Sequence, residues 1–137
     1  MIIMSADLGL ARTGIAVCDK GETLAFPKEV IFERNEERLV DKIISVAKEN
    51  MVELIVIGLP KNMDGTEGAR AELCRSFAAR VEEATGLPVK LWDERRTTVE
   101  AHNILSQHNY HGKKRKNTVD AVAASLILEG YLNFLGR

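Results

Sequence analysis

The unbroken apolar run Leu54-Ile55-Val56-Ile57 constrains this chain more than any other feature. A strand with one wet face alternates polar and apolar residues, whereas a continuous run of this kind needs cover on both sides. Such a strand belongs inside a sheet with helices on both faces, and its sequence neighbours can supply them. Upstream, Asn35 is placed to cap a helix, with Glu36 and Glu37 at its positive end. Leu39, Val40, Ile43, Ile44, Val46 and Ala47 recur there at helical spacing and form one stripe. Downstream, Asp64 and Glu67 stand in capping-box spacing, so a second helix is expected to begin near Asp64. Its stripe is Ala69, Leu73, Phe77, Val81 and Ala84, and Gly86-Leu87-Pro88 ends it.

Three strand-like stretches precede the first helix. Residues 2–6 and 14–18 form the first two, joined by a short link containing Gly9. The turn Asp19-Lys20-Gly21-Glu22 leads into a third over residues 23–26. Pro27 either ends that strand or marks an edge, and residues 30–32 are its candidate extension. Residues 89–92 read as a fifth strand, 98–107 as a short helix, 108–116 as a polar loop and 118–135 as the last helix. An initial antiparallel meander followed by crossover connections predicts an α/β fold, a mixed sheet with helices on both faces. At 137 residues without a Pro/Gly/Ser-rich linker or repeat, the chain is expected to form one domain over 1–137.

Nineteen Lys and Arg against twenty Asp and Glu leave a formal charge of −1. Coating nucleic acid by bulk charge is therefore not expected, and any such binding must come from a local patch. No apolar run approaches the roughly 18 residues of a spanning helix, and the N-terminal residues lack a basic leader, so neither membrane nor secretion is expected. Cys18 and Cys74 form no CxxC and read as reduced thiols of a cytoplasmic protein. Cys18 is expected to be buried, and Cys74 could cross-link two copies only if its helix exposes it.

Carboxylates fall where elements end. Asp7 closes the first strand before a glycine-containing turn, and Asp93-Glu94 follow the fifth. Asp120 is expected in the first turn of the last helix, three residues after the candidate cap Asn117. Parallel strands gather their C-terminal ends along one edge, where crossover sheets place ligands. Asp120, Ala123, Ala124 and Ile127 share a helix face, and the two alanines permit a close approach to the sheet. Carboxylates brought together repel unless a cation neutralises them, and oxygen donors without His or Cys select Mg²⁺ or Mn²⁺ over zinc. Two such ions about 4 Å apart serve phosphodiester hydrolysis. His102, His108 and His111 make no metal-binding spacing. Ordinary turn and helix-dipole chemistry accounts for each acid singly, so spacing alone does not name a reaction.

Four ordered segments sharpen this. Asp7-Leu8-Gly9 with Arg12-Thr13-Gly14-Ile15-Ala16 resembles the opening motif of the YqgF/RuvX family, and Gly58-Leu59-Pro60-Lys61-Asn62-Met63-Asp64-Gly65-Thr66 its second. Asp93-Glu94-Arg95 with Thr97-Thr98-Val99-Glu100-Ala101 resembles the third, and Lys116-Asn117-Thr118-Val119-Asp120-Ala121-Val122-Ala123-Ala124 the last. The resemblance spans nearly the whole chain. It implies an RNase H-like fold, similar to RuvC-type Holliday-junction resolvases, with five strands of which the first three are antiparallel. It also implies a metal-dependent nuclease maturing the 5′ end of pre-16S rRNA in ribosome biogenesis, with Asp7, Glu94 and Asp120 as catalytic metal ligands. Asp7 would bridge two ions while Glu94 and Asp120 each hold one, leaving Asp93 as a supporting acid. Arg96 departs from the apolar or aromatic residue more usual in the family.

Around these acids, the 58–66 segment runs from a strand end toward a helix N-terminus, a place suited to phosphate. Lys61, Asn62 and Thr66 are its candidate donors. Lys113-Lys114-Arg115-Lys116, the densest basic run, precedes Asp120 and is a candidate phosphate clamp, extended by Arg12, Arg95 and Arg96. Arg70, Arg75 and Arg80 read as the outer face of a helix. Trp92 and Tyr110 could stack on bases, although Trp92 in a strand more often packs in a core. The expected partner is structured RNA. The alternatives are branched DNA, resolved by a two-fold homodimer rather than a monomer, a non-catalytic nucleic-acid-binding module, and a nucleotide-binding relative of sugar kinases and actin.

Overall fold

The computed structural model describes residues 1–62, 64–93 and 112–136, the side chains of 112–119 excepted. Its elements run β1 (Ile3–Asp7), β2 (Arg12–Cys18), β3 (Ala25–Phe32), α1 (Glu36–Glu49), β4 (Leu54–Leu59), α2 (Ala69–Thr85), β5 (Val89–Asp93) and α3 (Gly112–Phe134). The sheet order is β3-β2-β1-β4-β5. β1 and β2, and β2 and β3, pair antiparallel, while β4 runs parallel to β1 and to β5. This is the five-stranded mixed α/β sheet of the RNase H-like class.

β4 is buried along its whole length, as its apolar run requires. Ile55 and Ile57 turn toward α1 and α2, where Leu39, Ile43, Phe77 and Val81 complete one core. Leu54 and Val56 turn the other way, into a second core with Ala124, Ile127 and Leu128 of α3. Helices thus cover both faces. α1 starts where expected, with Asn35 Oδ1 accepting from the Arg38 N–H at 3.0 Å. Among the described residues, no helix is long and apolar enough to cross a membrane.

Three boundaries differ from expectation. β3 is one strand across Pro27 because it lies at the sheet edge, where a missing N–H costs least, and its register against β2 shifts at Ile15/Ala16 to accommodate the ring. α2 begins at Ala69 after Gly68, not near Asp64. The Asp64 carboxylate instead accepts from the Thr66 N–H (3.0 Å) and hydroxyl (2.6 Å), closing a tight turn rather than capping a helix. α3 begins at Gly112, absorbing half of the expected polar loop, because Lys113–Lys116 are all good helix formers. Asp120 therefore lies in the third turn of α3, and Asn117 is inside the helix rather than its cap. The helix expected over 98–107 lies outside the described residues.

α3 lies directly on the sheet because small residues stand where it crosses. A Cβ on Gly14 would overlap the Asp120 carbonyl, and one on Gly130 would come 2.9 Å from Trp92 Nε1. Between them Ala124 is fully buried, and its carbonyl accepts from the Ser5 hydroxyl at 2.5 Å. Ser5→Ala is expected to cost about 1 kcal/mol through this lost buried hydrogen bond. Urea unfolding checks this, with the midpoint falling and the slope unchanged.

Candidate functional site

Alternation along β1 sends Ile3 and Ser5 to the α3 face, and Asp7 follows them at the strand's C-terminal end. Asp7 is paired with Gly14 of β2, the glycine on which the Asp120 backbone rests. The packing that needs glycine at 14 therefore also brings the two acids together. Burial first, and then the Asp120 charge, raise the Asp7 carboxyl to about 6, with Arg70 partly opposing both. Burial likewise raises Asp120, opposed by Arg12.

The balance around Asp120 is incomplete. Arg12 Nε lies 3.1 Å from Asp120 Oδ2, yet among the described residues that buried oxygen receives no hydrogen bond of acceptable geometry. The contact is one of charge without a directed N–H. The Thr13 hydroxyl is also buried without a hydrogen-bond partner among the described residues. Two adjacent acids with an unbonded buried oxygen favour a proton or a cation between them.

Of the other expected site residues, Asp93 closes β5 opposite Leu59. Lys61 and Asn62 follow β4 and bond within their own loop. Lys61 Nζ is 4.0 Å from Glu67 Oε2, and Asn62 Nδ2 donates to Thr66 Oγ1 at 2.9 Å. Lys113, Lys114, Arg115 and Lys116 occupy the first turns of α3 rather than a loop. Glu94 and Arg95 lie outside the described residues, as do Arg96, the three histidines and Tyr110. Among the described residues, no three His, Cys, Asp or Glu side chains gather as a metal site.

One expectation needs correction. Arg70 is not simply part of an outer helix face. Its Nη2 donates to the Leu8 carbonyl at 2.8 Å and its charge acts on Asp7. A cation in the first turn of a helix opposes the helix dipole, and that unfavourable placement is the sequence signal for a tertiary role. Cys74 is buried, so the exposure that cross-linking of copies would require is not met. Trp92 packs edge-on against Tyr131 at 6.0 Å, as a core residue would.

The family model described as RuvX, Holliday junction resolvase, matches residues 1–134. The chain belongs to the RuvX family. A Halothermothrix orenii relative, provisionally named a pre-16S rRNA nuclease, is 44% identical over 137 residues, covering 100% of this RuvX chain and 98% of its own. Thermus thermophilus RuvC in complex with a Holliday junction substrate superposes with a TM-score of 0.62 at 15% identity, covering 98% of this chain and 96% of that one. Fowlpox virus resolvase with Holliday junction DNA gives 0.62 at 12% identity, with both chains fully covered. At such low identity these two likenesses show that RuvX shares the resolvase fold.

Proposed function

We propose that this RuvX chain is a divalent-metal-dependent endonuclease that processes the 5′ end of pre-16S rRNA in the cytoplasm. The observation that carries the reading is the meeting of Asp7 and Asp120 at the C-terminal edge of the sheet, one oxygen buried and unbonded. Their hard oxygens fit Mg²⁺ or Mn²⁺, with Glu94 as the third ligand. When bound, the cations activate water for attack on the phosphodiester and neutralise the leaving oxygen. Arg12 balances the charge on Asp120 and is available to a substrate phosphate. Arg70 holds the turn after Asp7 through the Leu8 carbonyl and so orients that carboxylate. Lys113, Lys114, Arg115 and Lys116 open α3, where a helix N-terminus itself favours phosphate. With Lys61, Asn62 and Arg95 they form the substrate-binding set. The relatives' names favour RNA, and residues 1–137 act as one nuclease domain.

The resolvase fold favours a second reading, cleavage of branched DNA by a two-fold homodimer. The discriminating experiment offers a 5′-extended 16S precursor and a four-way DNA junction at matched salt, with Mg²⁺, Mn²⁺ or a chelator. The precursor is expected to be cut at least about tenfold faster, equivalent to about 1.4 kcal/mol of barrier, and chelation stops it. Faster junction cutting selects the second reading, and cutting unaffected by chelator and by Asp120→Asn rejects both.

A further inference from the structure

A cavity of about 220 Å³ opens beside the site, on the opposite face of the sheet end. Its floor is the buried Leu39, Cys74 and Phe77, and its walls include Leu10 and Leu73, which are 76% and 57% exposed. Leu8 and Gly9, which follow Asp7 directly, complete it. Large apolar residues left exposed around an apolar hollow mark a binding site more than a structural need.

Charge around the rim indicates the occupant. Glu33 is held by Lys42 (3.0 Å) and by the Asn35 N–H (3.1 Å), and Glu36 by Arg80 (2.7 Å). The two rim anions are thus neutralised. Arg34 is exposed with no ion pair among the described residues, and Arg70 has spent only one donor, on the Leu8 carbonyl. A small apolar slot edged by available cations suits a flat heteroaromatic group attached to a phosphate.

We propose that this cavity takes one unstacked nucleobase of the substrate strand, next to the bond that is cut. The inference rests on the nuclease reading and extends it to the form of the substrate. Leu8 follows the end of β1 directly, about 3.8 Å from Asp7 along the chain, and packs against the core on the α1 and α2 side while Asp7 lies on the α3 side. A nucleic-acid strand crossing the end of β1 can therefore present its phosphate to cations held at Asp7 and Asp120 and hook the neighbouring base over Leu8. A base paired and stacked in a duplex cannot do this. The enzyme consequently prefers an unpaired nucleotide beside the cut, as single-stranded ends and bulges provide.

The test places a single abasic nucleotide at successive positions around the cleavage site of the precursor. Wild type, Leu73→Trp, which fills the slot, and Leu10→Ser are compared, with thermal midpoints verifying folding. At one position the abasic substrate is expected to lower wild-type kcat/KM about tenfold, and Leu73→Trp to lower it about as much on intact RNA. With both changes together the abasic loss shrinks below about twofold, because the two act on one contact. Leu10→Ser shows the same non-additivity if Leu73→Trp fails to fold. Multiplicative losses, or no abasic sensitivity in wild type, overturn the slot while leaving the nuclease intact. Absence of wild-type cleavage overturns the nuclease reading itself.

Discussion

Asp7→Asn is expected to abolish cleavage and, in the same protein without metal, to raise stability above pH 6. The activity loss follows from removing a charge at the point where cations must be held, at least about 10²-fold in kcat. The stability gain follows from linkage. In the fold the Asp7 carboxyl holds its proton up to about 6, whereas an unfolded chain releases it near 3.8. Between those values the native state binds the additional proton, so this residue's contribution falls as pH rises and levels off above 6. The full interval corresponds to about 3 kcal/mol, and partial solvent access reduces it to roughly 1–3 kcal/mol. Asp19, Glu33 and Glu67 are held below their usual range by hydrogen bonds and titrate in the opposite sense. The quantity to measure is therefore the difference between variant and wild type, by urea unfolding in chelator from pH 4 to 7. The gap is expected to open as pH rises and to vanish near pH 4. A destabilised variant at pH 7 would show that the Asp7 carboxylate is at ease in its site.

Gly14→Ala is expected to lower stability by about 3 kcal/mol, the upper part of the usual cost of overpacking. The added Cβ would meet main-chain atoms of Asp120 and Ala121, which cannot rotate away as a side chain could. α3 must then lift from β2, carrying Asp120 from Asp7, so the folded fraction also loses activity. Gly68→Ala is the control, since nothing lies within 4 Å of its added Cβ. As the N-cap of α2 it is expected to cost less than about 1 kcal/mol. Equal losses in the two variants would mean that the Gly14 contact does not govern how α3 seats.

The pattern of residues made much of this architecture legible. The β4 run demanded cover on both faces, and Ile55 and Ile57 face one core while Val56 faces the other. The alanines at 123 and 124 announced a close helix–sheet contact, although not that Gly14 would complete it. What escaped were the local decisions where two chemistries compete for one residue. Asp64 had the spacing of a cap, but a turn with Thr66 offered the same oxygen nearer partners. Lys113–Lys116 looked like a loop by charge, yet helix propensity and the tertiary anchoring of α3 extended the helix back to Gly112. Arg70 escaped because an expected helix start near Asp64 put it beyond the first turn, where a cation is unremarkable, and its partner, the Leu8 carbonyl, is 62 residues away. For the candidate site, the sequence pointed to Asp7 and Asp120, and the fold adds the register and the glycine that bring them side by side.

Calorimetric titration of the purified protein with Mg²⁺ and Mn²⁺ probes the shared-cation claim without relying on turnover. Wild type is expected to bind and to gain thermal stability with rising metal, while Asp7→Asn, Glu94→Gln and Asp120→Asn each lose most of that heat and that shift. Identical binding by wild type and all three variants would contradict the account.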